Sequence, residues 1–199
     1  MGATNNVSID SARLPNMGLL HFLMECAISQ INQNLYQSNI VSMSVGNRPL
    51  SIDGFPLIGP AKTIDGLWII SGTYRDGFHC SPLIASYIAD AITGKSDDNS
   101  LVVFEPERRP LELLSREESI EEFAKHYIGG AYEHGAKLPK FMYTQELHQI
   151  AIEKAKSIYD KLDIDYSFTP DILLLFMLDP KKDEAIDIIS KYFNGLINN

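Results

Sequence analysis

Two arginines, Arg48 and Arg75, stand in stretches punctuated by glycine and proline: Gly46-Asn-Arg-Pro-Leu-Ser-Ile-Asp-Gly-Phe-Pro-Leu-Ile-Gly59 and Gly66-Leu-Trp-Ile-Ile-Ser-Gly-Thr-Tyr-Arg-Asp-Gly-Phe-His-Cys-Ser-Pro82. A guanidinium is planar, permanently charged and forked, so it can grip a carboxylate through two hydrogen bonds at once. An amino acid carries such a carboxylate beside its Cα. The competing reading is structural, a salt bridge from either arginine to Asp53 or Asp76, and for an isolated arginine that reading is the better one. Behind the second arginine, Ser81 suits an N-cap and Pro82 a first helical residue, which predicts a helix start directly after the loop Gly72 to Phe78. The N–H groups of that start have no partner within the helix and point back at whatever the loop surrounds. Gly77 can either permit a close backbone approach or simply turn the chain.

The elements that must position these residues follow from periodicity. Leu19, Leu20, Phe22, Leu23, Cys26, Ala27, Ile31 and Leu35 recur at three-and-four spacing and predict an amphipathic helix of about four turns, with Asn16 as N-cap. Ile40 to Val45 alternates and predicts a strand, closed by Gly46 and Pro49. Asp53-Gly54 signals a hairpin turn whose second arm is Pro56 to Ile58, and Asp65-Gly66 a further turn. Leu67 to Ile70 predicts a buried strand and Pro82 to Thr93 a helix stopped by Gly94. The polar break Lys95 to Ser100 precedes Leu101 to Phe104, and the charged, proline-containing stretch Glu105 to Pro110 reads as a boundary. Beyond it, Ser115 to Glu122 opens a helix with an acidic first turn, and Gln145 to Leu162, Pro170 to Leu178 and Lys182 to Leu196 predict three more.

Taken in order, residues 46 to 94 resemble the C-terminal signature of the D-amino-acid oxidase superfamily, with glycine oxidase as the nearest family. There a strand ends in Gly-x-Arg-Pro, a hairpin reads Asp-Gly-x-Pro-x-Ile-Gly, and a later strand runs into Gly-His-x-Arg-x-Gly before a helix. Each fragment alone is a weak signal, whereas the ordered set is specific. The resemblance implies an α+β fold, the C-terminal part of a D-amino-acid oxidase-like flavoprotein. Residues 1–110 would supply substrate-domain strands and one strand-loop-helix unit of the FAD domain, and residues 111–199 a helical tail. It also implies substrate-binding roles for Arg48 first and Arg75 second, and a flavin-facing loop of Arg75, Asp76, Gly77, Phe78 and His79. Backbone N–H groups and a positive helix end there would stabilise the negative charge that reduction puts on the flavin pyrimidine ring.

The chemistry so implied is hydride removal from the Cα of a small amino acid or secondary amine to flavin, giving an imine that water hydrolyses. No protein base is needed if the amine enters neutral, and no catalytic side chain is assigned. Whether oxygen or another carrier takes the electrons is open to both readings. Two departures from the family pattern matter. Thr73 follows Gly72 where many relatives have His, and the chain has no Gly-x-Gly-x-x-Gly turn with a following acidic residue to cradle the ADP half of FAD. Gly129 and Gly130 lie in the helical tail, not after a strand. FAD is therefore expected to bind weakly or not at all to this chain alone, with a protein partner or a longer gene product supplying the Rossmann half. The alternative is a non-catalytic truncated scaffold whose tail binds another protein.

Composition narrows the remaining classes. A net charge of -9 opposes nucleic acid or an anionic membrane surface as partner. The 2 cysteines, Cys26 and Cys80, make no disulfide framework and have no metal-ligand spacing, which suits a reducing cytoplasm. Met1 to Asn6 carries no export or myristoylation signal, and the apolar run Ile172 to Leu178 is far below the roughly 20 residues of a membrane span, so a soluble cytoplasmic protein is expected. His126 and His134 match no zinc spacing, and His79, by its place in the loop, is the histidine with a claim to the pocket.

Overall fold

The computed structural model describes residues 7–95, 100–133 and 144–197. Asn6, the centre of the polar break after Lys95, and His134 lie outside the described residues. The chain divides into two compact units, one formed by residues 48–113 and the other by residues 1–47 together with 114–199.

In the unit 48–113, strands β1 (Leu57–Pro60) and β2 (Trp68–Ser71) form an antiparallel pair in which Ile58 faces Ile70. Helix α2 (Gly77–Thr93) follows β2. Ile58 from β1, Ile84 and Ile88 from one face of α2, and Leu101 make the buried core, with Trp68, Tyr87 and Phe104 packed against it. The hairpin is not the one read from the sequence. Its loop is the segment 61–67, closed by Ala61 N–H to Leu67 C=O at 2.8 Å, and Asp65-Gly66 lies within that loop. The Asp53-Gly54 turn precedes β1 and starts no ladder, because the Asp53 carboxylate gathers its neighbours into a closed turn.

Helix α2 also starts five residues before the predicted position. Pro82 lies inside it and cannot donate to the carbonyl of Phe78. Ser81 Oγ donates to that carbonyl at 2.9 Å, so the orphaned acceptor is satisfied and the helix runs through. Ser81 thus serves the helix from within and does not cap it. Gly94 ends α2 as expected, in the left-handed region at φ 64, with Lys95 N–H donating to Asp90 C=O.

In the other unit, α1 (Met17–Cys26) is capped by Asn16, whose side chain accepts from Gly18 and Leu19 N–H. The expected four-turn helix stops short. Ala27–Ile31 is a π-turn and Gln33–Gln37 a 3₁₀ turn, split at Asn32, which is extended and accepts from Asn34 N–H through its own side chain. Ile40 to Val45 pairs with no strand among the described residues, and Val41 is 96% exposed. A lone extended segment has no ladder to satisfy its backbone, which is why alternation alone did not make it a strand.

Four helices complete this unit: α3 (Arg116–Glu133), α4 (Thr144–Leu162), α5 (Pro170–Leu178) and α6 (Lys182–Ile197). Helix α5 packs against the other three, which accounts for the apolar run Ile172 to Leu178 as a buried element. The core centres on Phe168, fully buried and in ring contact with Tyr159, Tyr166, Phe176 and Phe193. Ser119 Oγ donates to Phe168 C=O, so the 2.8 Å contact between Ser119 and Tyr159 must have the Tyr159 hydroxyl as donor; that hydroxyl accepts in turn from Phe168 N–H at 2.9 Å. Among the described residues no helix is long and apolar enough to cross a membrane. His126 is exposed on α3.

Tyr159→Phe keeps the ring but leaves buried Phe168 N–H without its acceptor, and urea unfolding should report a loss of about 1–3 kcal/mol. A second expectation concerns pH. Ser115 N–H donates to Glu118 and Ser115 Oγ accepts from Glu118 N–H, a capping box that holds the Glu118 carboxyl below the usual carboxylate range. That contribution is present above the ordinary glutamate value and disappears as pH falls through the lowered folded value. At neutral pH Glu118→Gln should therefore melt below the parent, and melts at falling pH should show the difference closing.

Candidate functional site

The residues with chemical potential gather at one end of the unit 48–113. Asp53 organises it, at 2% exposure. Its Oδ1 accepts from Ser51 Oγ at 3.0 Å and Phe55 N–H at 3.0 Å, and its Oδ2 from Leu111 N–H at 2.9 Å and Arg108 Nη1 at 2.6 Å. A carboxylate has about four acceptor positions; three here face N–H donors, and the fourth faces the Ser51 hydroxyl, whose single proton is shared with the closer Phe55 C=O at 2.5 Å. Arg108 Nη2 donates to Pro56 C=O at 3.3 Å, while its buried Nε has no partner. Further along the same stretch, Glu107 Oε1 accepts from the N–H groups of Lys62 and Thr63, and Glu105 lies 2.7 Å from Lys62 Nζ, a hydrogen bond that holds the ammonium above its ordinary pKa. The stretch Glu105 to Pro110, read from composition as a boundary, is thus bound into this unit.

Against the Ser51–Phe55 turn lies Gly72, buried and at φ 70. A Cβ there would sit 3.3 Å from Phe55 carbonyl oxygen and 3.4 Å from Ser51 Cβ, so a side chain would push the two segments apart. Two residues on, Tyr74 N–H donates to Pro49 C=O at 3.3 Å. This bond joins the neighbours of the two arginines, and it brings the segment of Arg48 and the loop of Arg75 together. Tyr74 itself has φ 46, a strained conformation for a residue with a side chain, and such strain persists only where the surroundings enforce it.

Arg48 and Arg75 are both exposed, and among the described residues neither forms an ion pair; Arg75 lies over the Tyr74 ring at 5.3 Å. The salt bridge to Asp53 that competed for Arg48 does not form, since Arg108 holds that carboxylate. Asp76 stands at the N-cap of α2 but its side chain caps nothing. The first-turn N–H groups therefore have no side-chain cap, and Phe78, 90% exposed, and His79 lie on that turn with their rings edge-on at 6.4 Å. The sequence marks these residues, and it marks Asp53 as a turn residue and a possible ion-pair partner for an arginine; what it does not reveal is that the partner is Arg108, which lies in the stretch read as a boundary.

Residues 1–91 match the model of the FAD dependent oxidoreductase family. The matched stretch holds both arginines, the Asp53 turn, the loop and most of α2, so the resemblance read from the motifs holds for this part of the chain. Three curated relatives are glycine oxidases. That of Pseudomonas aeruginosa is 32% identical over 72 residues, covering 36% of this chain and 20% of the relative. That of Pseudomonas putida is 30% identical over 97 residues, 49% and 26% of the two chains, and that of Geobacillus kaustophilus 29% over 104 residues, 52% and 27%. The aligned stretches thus span about a quarter of the relatives' length.

The residues present fit one edge of a flavin. A helix start without a side-chain cap, reached by a loop with Gly77, offers N–H donors and a positive dipole end to an anion. They do not fit the ADP half, for which the sequence has no glycine-rich turn after a strand. A Cβ at Gly77 would lie 2.7 Å from Thr73 Oγ1, so Gly77 and Thr73 are packed as a pair. Gly77→Ala should cost about 1 kcal/mol through this overpacking. In a Thr73→Ala background, where the hydroxyl is gone, the same change should become stabilising by about 0.5 kcal/mol, because alanine restricts the unfolded chain. Denaturant melts of the four chains check both signs.

Proposed function

We propose that this chain contributes the substrate-gripping and flavin-facing part of an FAD-dependent oxidoreductase acting on the C–N bond of a small amino acid or amine. The observation that carries this reading is the Tyr74 N–H to Pro49 C=O bond, which links the Arg48 segment to the loop 75–79 ahead of the uncapped start of α2. Arg48 binds the substrate carboxylate as a bidentate partner and Arg75 assists. Asp76, Gly77, Phe78 and His79 line the flavin edge, where the N–H groups of the helix start favour negative charge. The chemistry that bound FAD supplies is acceptance of a hydride from the amine Cα, leaving an imine that water hydrolyses. The protein's part is orientation, with no side-chain base assigned.

The nucleotide-binding half comes from outside the residues seen here, as a separate subunit or as more of the same polypeptide. Support comes from α2, which carries apolar residues on two faces: Ile84 and Ile88 are buried, while Phe78, Pro82, Ala85, Ala89 and Ile92 form an exposed stripe, and Asp90 is the helix's one charged residue. A helix apolar on both sides is made to be covered on both sides. Residues 111–199 are read as a helical module separable from residues 1–110. A chain retained only as a scaffold is the second reading, and the same experiment decides it.

Flavin-loaded holoenzyme should oxidise glycine, used as the probe, and Arg48→Leu should lower kcat/KM by about 2–5 kcal/mol with the visible flavin spectrum unchanged. Arg48→Lys should recover only part of the loss, since an ammonium keeps the charge without the planar fork. Purified alone, the chain should be colourless. A stoichiometric yellow chain would contradict the split, and a holoenzyme indifferent to Arg48 would favour the scaffold.

A further inference from the structure

We infer that Asp53 is a positioning residue for the proposed site, setting the distance between the Arg48 segment and the flavin-facing loop. The inference rests on the proposed reading for its functional consequence and on geometry alone for its mechanical part. Three contacts form a continuous path. The buried carboxylate closes the turn Ser51 to Phe55 from inside, through Ser51 Oγ and Phe55 N–H on one oxygen. It anchors that turn from outside, through Arg108 and Leu111 N–H on the other. The turn so fixed presents the Phe55 carbonyl and Ser51 Cβ to Gly72, the residue at which the loop leaves β2, at a spacing that admits no side chain.

From Gly72 the loop has only one more residue before Tyr74 N–H reaches Pro49 C=O, next to Arg48. The Ser51 turn and the Arg48 segment are continuous in sequence, so the loop is held at both ends of the seven-residue stretch from Pro49 to Phe55. With both fastened, Tyr74 has no freedom to relax from its positive φ. Asp53 touches neither arginine; it acts through the turn. Its charge matters because three N–H donors face it, Phe55 N–H on one oxygen and Leu111 N–H with Arg108 on the other, while the Ser51 hydroxyl divides its proton between the carboxylate and Phe55 C=O. An amide in its place would turn an NH₂ group toward at least one of these N–H donors, leaving it opposed.

The mechanical part is tested on the full chain by amide hydrogen exchange. Asp53→Asn should speed exchange of Tyr74 N–H by about tenfold or more, along with Phe55 and Leu111, while the amides of Ile84 and Ile88 in α2 stay protected. Ser51→Ala, which removes the hydroxyl that contacts both Asp53 and Phe55 C=O and leaves the three N–H donors to the carboxylate in place, is the milder change and should shift the same amides less. If Asp53→Asn unfolds the unit, Ser51→Ala carries the test. Unchanged Tyr74 exchange in the folded variants would overturn the inference. So would loss of protection spread evenly over α2, which marks general destabilisation.

The functional part is tested in flavin-loaded holoenzyme, with glycine as probe and at a temperature where every variant is folded. Asp53→Asn should raise KM about tenfold with kcat little changed. In an Arg48→Leu background it should add nothing, because a residue acting through Arg48 has no further effect once Arg48 is gone. Equal effects in both backgrounds would overturn the positioning role. If Arg48→Leu itself leaves glycine oxidation unaltered, the substrate-anchor reading falls, and the inference is then decided by Tyr74 exchange alone.

Discussion

The carboxylate of Asp53 is the point on which the unit 48–113 turns. Buried charge is costly unless donors meet it, and here a guanidinium and two backbone N–H groups do so, with a hydroxyl shared between the carboxylate and Phe55 C=O. Arg108 arrives from beyond α2 and Ser51 from before β1. The ion pair therefore joins the beginning and end of the unit across its hairpin and helix. Local propensity asks for none of this. The surrounding backbone is arranged to satisfy one charged group, and the approach of Gly72 to Phe55 follows from where that group holds the turn.

Two unusual backbone features depend on this arrangement. Tyr74 accepts a positive φ and α2 begins without a side-chain cap, both within four residues of Arg75. Strain in a backbone persists only where its surroundings enforce it, and here it falls in the loop before α2, within the stretch that the family match covers. Thr73 fills the space beside Gly77.

The helices α3 to α6 solve a different problem. Their core is aromatic, and its polar knot of Ser119, Tyr159 and the backbone of Phe168 is closed on itself. Lys181 reaches Asp10 at 2.7 Å, and Asn47 exchanges two hydrogen bonds with the backbone of Ala12, so the segment before residue 48 is tied partly to these helices and partly to itself. The family match ends at residue 91, before this helical part begins. Among the described residues there, no group of His, Cys, Asp and Glu is placed to hold a metal ion.

Residue order alone determined the helices whose ends are local events. Asn16, the Ser115 and Glu118 pair, Pro170 and Gly94 act within a turn of themselves, and each marked its boundary correctly. It also carried the resemblance to the D-amino-acid oxidase superfamily, through the ordered motifs around Arg48, Asp53, Arg75 and Gly77. Tertiary structure decided whatever needed a partner distant in sequence. The alternation of Ile40 to Val45 meets no neighbouring strand and stays single. Pro82 is tolerated inside α2 because Ser81 serves the carbonyl it abandons. Arg108 binds Asp53 from 55 positions further along the chain, and no local window contains both. Hydrogen-bond demand is local in a helix and non-local for a buried charge. That difference in range separates the elements the residues announce from the ion pair on which the candidate site rests.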